Sequence, residues 1–272
     1  MNNFSQLYKI DSGLQLEFTS HGNGDRCLIC FHGFGQDFSV FDPLHDLLPD
    51  FRVVSLNLLF HGQSNRTSEE KYLRHEEWQK MFNGFLDHLR IKRFSIVGYS
   101  MGARYVSSTI HSFANRIDHC IFIAPDGVVN RRSYVLATFP WGPEQLFRYF
   151  MKNPRPFFAF LDLAEKIKLI NPWTIKFSRN QLKDPAIRRR VLQSWVTLKK
   201  LRLKQKALVE LLNGSNYQTT FYFGKYDSII AYDRHLHFLN QLRNNKVIIL
   251  DTGHTQLLHE SFTTIRDQLS EY

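Results

Sequence analysis

The stretch that most limits what this chain can fold into is Gly98-Tyr99-Ser100-Met101-Gly102, because of what stands on either side of it. The apolar run Phe94-Ser95-Ile96-Val97 before it reads as a buried strand, and Ala103 to Ser108 after it reads as a helix. In such a strand-to-helix turn the two glycines let both elements pass close to a serine held in strained backbone. The Ser100 hydroxyl then stands exposed at a helix N-terminus, and the Met101 N–H is available to an oxyanion. Taken alone, the same pentapeptide is an ordinary tight turn, since glycine and serine are common turn residues. The rest of the chain decides between the two.

Around this turn, strands alternate with helices. Leu7 to Ile10 and Leu14 to Phe18 read as a hairpin about Asp11-Ser12-Gly13. Cys27 to Phe31 is a continuous apolar run, as a strand covered on both faces requires. It ends in His32-Gly33-Phe34-Gly35, a glycine-rich turn that either only turns the chain or brings a backbone N–H to a reaction centre, in which case the Phe34 N–H is the second oxyanion donor. The spacing predicts a helix over 38–48, a strand over 52–58 and an amphipathic helix over 69–90 with Trp78, Phe82, Phe85, Leu86 and Leu89 on one face. A helix over 101–114 and a strand over 120–124 follow, the strand ending at Pro125-Asp126-Gly127. Later come a strand at 220–223 ending in Gly224-Lys225-Tyr226-Asp227, a helix over 233–243, a strand over 246–250, then Asp251-Thr252-Gly253-His254 and a helix through Gln268.

Between 128 and 215 the alternation stops. Aromatics (Trp141, Phe147, Phe157, Trp173, Phe177 and Trp195 among them), repeated prolines and long basic stretches take its place, and so long an insertion must have structure of its own. We read it as a helical cap whose aromatics form its packing core first and an acyl or aryl pocket second. The chain's net charge is +10, yet residues 128–215 hold 18 Lys+Arg against 5 Asp+Glu, so the remainder is slightly acidic. A solvated helix face is the first reading of that charge. Arg188-Arg189-Arg190 and the basic run from Lys199 to Lys206, with Trp195 and leucines between them, also fit an anionic membrane surface or anionic substrate. Nucleic acid ranks last, because no recognised module accompanies the charge. No apolar run reaches the ~20 residues a membrane span needs, the first residues lack the basic and apolar regions of a signal peptide, and the three cysteines are an odd number. A cytoplasmic protein is expected, peripheral to membrane if the basic cap meets lipid.

Strand-helix alternation implies a mainly parallel sheet, whose ligand sites lie beyond the carboxyl ends of the strands. Phe34, Ser100, Asp126, Asp227 and His254 all stand at such ends. A serine hydroxyl is a poor nucleophile until a base takes its proton, and the base needs a carboxylate to fix its tautomer. His254 and Asp227 supply those parts. Asp126 is the rival acid, or simply a turn former. His32 and His61 read as turn-stabilising, and His235 and His237, two apart on a helix, do not share a face for a metal. No metal or cofactor is implied.

With these residues in this order, the chain resembles the α/β-hydrolase fold superfamily over nearly all of its length outside the insertion. The resemblance implies a mainly parallel sheet flanked by helices, with a core of residues 1–127 and 216–272 and a helical cap, 128–215, inserted after the sixth core strand. It implies a serine hydrolase acting through an acyl-enzyme on a small ester or related acyl substrate, with Ser100, Asp227 and His254 as the triad and the Phe34 and Met101 N–H groups as the oxyanion hole. Relatives often carry an acid near the start of the loop after the fourth strand, where Asn57 stands here. Serine at the elbow, where other branches use aspartate, argues against dehalogenase or epoxide-hydrolase chemistry. The run Gly98 to Arg104 also looks like the elbow of menaquinone-pathway carbon–oxygen lyases of this fold, with Ala103 where they have glycine. That lyase chemistry, carbon–carbon bond hydrolysis and a non-catalytic ligand-binding role are the alternatives.

Overall fold

The apolar runs of the sequence become strands of one nine-stranded sheet, which also takes in the short polar strand Asn65–Arg66. The computed structural model describes residues 5–10, 13–67, 72–129, 142–167, 175, 179 and 182–271. The strands are β1 (Gln6–Ile10), β2 (Leu14–His21), β3 (Arg26–Phe31), β4 (Phe51–Leu56), β5 (Asn65–Arg66), β6 (Phe94–Tyr99), β7 (Ile117–Ile123), β8 (Gln218–Gly224) and β9 (Asn245–Leu250). Helices among the described residues are α1 (Pro43–Leu47), α2 (His75–His88), α3 (Gly102–Phe113), α4 (Pro143–Lys152), α5 (Pro154–Lys166), α6 (Pro185–Thr197), α7 (Gln205–Asn213), α8 (Leu236–Leu239) and α9 (His254–Ser270).

Strand order is β1-β2-β4-β3-β6-β7-β8-β9, with β5 paired to β2. From β4 to β9 every pairing is parallel, whereas β2 pairs antiparallel with β1, β4 and β5. Because β3 lies between β4 and β6, the winding of the chain reverses there, which makes the carboxyl ends of β3 and β6 the switch point where ligands of such sheets bind. Every residue of β6 is buried. On one face of the sheet α2 buries Trp78, Met81, Phe82, Phe85 and Leu86, each large side chain contributing roughly 1.5–3 kcal/mol. Trp78 stacks on Phe82 at 5.1 Å and its indole N–H donates to Thr109 Oγ1 of α3 at 3.0 Å, so the ring is buried without an unmet donor.

Three expected helices are shorter in the structure. Over 38–48 a 3-10 turn (Phe38–Phe41), capped by the Asp37 carboxylate on Ser39 N–H, precedes α1; Pro43 has no N–H with which to continue a helix from the turn. The helix expected from 69 begins at His75, and residues 69–71 lie outside the described residues. Over 233–243 there is a 3-10 turn (Tyr232–His235) and the single turn of α8. The Asn213 amide ends it, donating to Gln241 O at 2.9 Å and accepting from Arg243 N at 2.8 Å. The Asp11-Ser12 turn, Trp141, Trp173 and Phe177 also lie outside the described residues.

The chain divides into two compact units, residues 1–129 with 200–272, and residues 130–199. This is narrower than the insertion expected over 128–215. The reason is α7, which packs against α3 in the first unit and buries Leu208 and Leu212. Within the second unit Phe147 of α4 stacks on Trp195 of α6 at 5.5 Å. Arg188, first of the three consecutive arginines, is buried and donates to Met151 O at 3.0 Å and to Leu182 O and Lys183 O at 2.8 Å. The basic run 199–206 is not one helix. A 3-10 turn (Leu198–Lys200) and a coil precede α7, and Leu198, Leu201 and Leu203 are buried. Among the described residues no helix is long and apolar enough to cross a membrane.

Candidate active site

Ser100 sits at the end of β6 with φ 50°, in the left-handed region that a non-glycine residue occupies at a cost of roughly 1–3 kcal/mol. Hydrogen bonds hold it there. Its N–H donates to Ile123 O at 2.8 Å, and its carbonyl accepts from Ala103 N at 3.1 Å and Asp126 N at 3.0 Å. The flanking glycines are dictated by crowding. A Cβ on Gly98 would lie 2.5 Å from Val106 Cγ2, and one on Gly102 would lie 2.1 Å from the Phe31 carbonyl oxygen. These contacts press the start of α3 against β3, the close approach inferred from the sequence.

Asp227 follows β8 and His254 opens α9. His254 Nδ1 lies 2.6 Å from Asp227 Oδ2, and the other carboxylate oxygen accepts from Ile229 N at 2.8 Å and Ile230 N at 2.7 Å. Burial works to raise the Asp227 pKa, but the hydrogen bond from His254, its charge and the two backbone donors outweigh it and hold the carboxyl below its ordinary value. An ionised carboxylate only accepts, so Nδ1 carries the proton and Nε2 is left as the basic nitrogen.

Asp126, the rival acid, faces elsewhere. Arg104 of α3 donates to Asp126 Oδ2 from Nε at 2.9 Å and from Nη2 at 2.6 Å. The guanidinium is buried, and the pair ties the loop after β7 to the first turn of the helix behind Ser100.

The turn after β3 is built by two neutral histidines. His32 Nδ1 donates to Gly33 O at 2.7 Å and its Nε2 accepts from Leu58 N at 3.0 Å. Burial, helped by neighbouring His61, pushes the His32 pKa down to about 3. His61 Nε2 accepts from Gly35 N at 3.0 Å, next to Phe34. Both act as the turn-stabilising residues the sequence suggested. Among the described residues no hydrogen bond takes up the backbone N–H of Phe34 or Met101.

Two positioning features escaped the sequence reading. Tyr99, beside Ser100, donates from its hydroxyl to the His254 carbonyl at 2.7 Å, and its ring lies 3.0 Å from where a Gly33 Cβ would be. One side chain thereby touches the turn after β3 and the residue that opens α9. Its position inside the Gly-x-Ser-x-Gly turn was the available signal. Glu17 of β2 is the second. Its buried Oε2 accepts from Asn57 Nδ2 at 2.7 Å and Gln63 N at 2.6 Å, while Asn57 Oδ1 accepts from Phe38 N at 2.8 Å. An acid from β2 therefore meets Asn57 at the start of the loop after β4. In the sequence Glu17 is only one of the polar positions that alternate with Leu14, Leu16 and Phe18.

Fold and site together define the class. The family described as alpha/beta hydrolase fold matches residues 27–261, and the chain belongs to it. A serine hydrolase-like protein of Danio rerio is 24% identical over 174 residues, 62% of this chain and 52% of its own. A Bacillus subtilis protein, provisionally named a 2-succinyl-6-hydroxy-2,4-cyclohexadiene-1-carboxylate synthase, is 24% identical over 109 residues, 40% of each chain. The matches span between 39% and 54% of the curated relatives' lengths. Among solved structures, an esterase from Thermogutta terrifontis superposes with a TM-score of 0.69 over 98% of both chains at 17% identity, a likeness of fold.

Proposed function

We propose that this protein is a serine hydrolase that cleaves an ester or related acyl compound through an acyl-enzyme. The observation that carries the reading is the 2.6 Å contact of His254 Nδ1 with the buried Asp227 carboxylate, on the same sheet edge as a serine in a left-handed elbow. In the proposed cycle His254 Nε2 takes the Ser100 hydroxyl proton as Oγ attacks the acyl carbon. Asp227 stabilises the imidazolium, and the Phe34 and Met101 N–H groups receive the oxyanion. The tetrahedral species collapses with transfer of that proton to the leaving alcohol. Water, deprotonated by His254, then releases the acid and restores Ser100.

A second reading, carbon–oxygen lyase, draws on the Bacillus relative's name and on Arg104 near the elbow. The Arg104–Asp126 pair favours the hydrolase, since the guanidinium is already engaged by a carboxylate of the chain. Labelling by a fluorophosphonate and turnover of p-nitrophenyl acyl esters test the proposal. Ser100→Ala is expected to lose both while keeping the wild-type unfolding midpoint, with kcat down on the order of 10⁶ as for a triad serine. Undiminished ester turnover by that variant would discard the serine nucleophile, and no turnover or labelling by the wild type would favour a binding role.

A further inference from the structure

We propose that the 130–199 unit docks on anionic phospholipid bilayers through the exposed sides of α4 and α5, a surface whose action does not depend on the catalytic reading. The first observation is charge. Residues 130–199 hold 14 Lys+Arg and 4 Asp+Glu, so this unit carries the whole of the chain's net +10 and the other residues balance to zero. Charge alone fits a solvated helix face.

The second observation is where apolar side chains stay in water. Among the described residues eight large hydrophobic side chains are exposed, and four of them lie on or at the end of these two helices: Leu146 (52%), Tyr149 (50%), Leu163 (56%) and Ile167 (62%). Leu146 and Tyr149 are three apart on α4, and Leu163 and Ile167 are four apart at the end of α5, so each pair shares a helix face. Exposed Lys152 is three residues past Tyr149 at the end of α4, exposed Lys166 stands next to Ile167 and beside exposed Glu165 at the end of α5, and exposed Arg155 lies in the first turn of α5. Asp162, the acid next to Leu163, is ion-paired with Arg179.

Exposed aliphatic side chains with cations along the same two helices are what an interfacial segment presents to a charged bilayer. The aliphatic part decides against nucleic acid, since Leu146, Leu163 and Ile167 gain nothing from a phosphate-lined groove whereas acyl chains accept them. A second copy of the unit would bring +10 against +10. The surface also differs from the one the sequence suggested, because the leucines of 198–203 are buried.

Co-sedimentation of the full chain with phosphatidylcholine vesicles, with and without phosphatidylglycerol, tests this. Binding is expected only with phosphatidylglycerol, and it weakens as salt shortens the screening length. Neutralising Lys152, Arg155 and Lys166 together to Gln is expected to weaken binding on the order of 10²-fold, from about fivefold per basic residue. Leu163→Gln with Ile167→Gln keeps the charge and is expected to lose about tenfold. All five positions are exposed, so unfolding midpoints and turnover of a soluble short-chain ester stay at wild-type values. Equal binding to neutral and anionic vesicles, binding to neither, full binding by either variant, or retention on RNA in place of vesicles would each overturn the proposal.

Discussion

Asp126 and Asp227 stand just beyond the carboxyl ends of two adjacent parallel strands, β7 and β8, and either could be named the acid of a Ser-His-Asp set from its position alone. Their surroundings separate them. Asp227 meets a histidine and two backbone N–H groups, which leaves an ionised carboxylate aimed at Nδ1. Asp126 meets a buried guanidinium, and its own N–H holds the Ser100 carbonyl. The first carboxylate can act on a base whose charge changes during a reaction. The second faces a permanent cation and fixes the loop beside the elbow. Position in the sheet is the same for both, and the charge partner is what tells them apart.

The sharpest way to break this comparison is to neutralise each acid in turn. Asp227→Asn is expected to lower kcat on the order of 10⁴, the effect of forcing the wrong histidine tautomer. Asp126→Asn is expected to stay within about tenfold. Steady-state kinetics on one p-nitrophenyl ester decides, and a reversed order of the two variants reassigns the acid. Stability is expected to rank them the other way. Asp126→Asn leaves buried Arg104 without its counter-charge, and a loss of about 3 kcal/mol in denaturant unfolding is expected. An unchanged midpoint would remove the structural role.

Acidification separates the Asp227 carboxylate from its surroundings. His32 has its pKa lowered from 6.5 to about 3, so below pH 6.5 the unfolded chain takes up a proton that the folded chain refuses. Stability from this group is therefore lost as pH falls from 6.5 toward 3, by up to about 1.4 kcal/mol per unit. Asp227 is also held below its ordinary value, so its contribution is present above the usual carboxylate range and is lost as pH falls through its folded pKa. Asp227→Asn and wild type should show parallel slopes down to pH ~4 and diverge only below it. Divergence already at pH 6 in denaturant titrations would place the coupling elsewhere.

The smallest effect belongs to Tyr99. Burial, with the nearby Asp227 charge, raises its pKa, so the hydroxyl stays a donor to the His254 carbonyl. Tyr99→Phe removes that one bond, worth ~1 kcal/mol, and is expected to lower kcat about fivefold at constant KM. A change confined to KM would show that Tyr99 serves substrate binding.

What the sequence determined by itself was carried by local pattern. Continuous apolar runs require strands covered on both faces, their alternation with helical spacing requires parallel crossovers, and Gly98 and Gly102 around Ser100 require a close strand-helix turn. Hence the sheet, the elbow and the set of strand-end residues were all legible. Local pattern also overextended the helices, because the missing N–H of Pro43 and the hydrogen bonds of the Asn213 amide are not registered by periodicity. Only the tertiary structure decided which carboxylate meets His254, that Glu17 crosses from β2 to Asn57, and that residues 200–215 belong with the first unit. The side-chain contacts among these join residues far apart in the chain, 27 positions for Asp227 and His254 and 40 for Glu17 and Asn57. A hydrogen-bond partner is chosen by distance and direction in space, and spacing along the chain encodes neither once the intervening residues have folded into other elements.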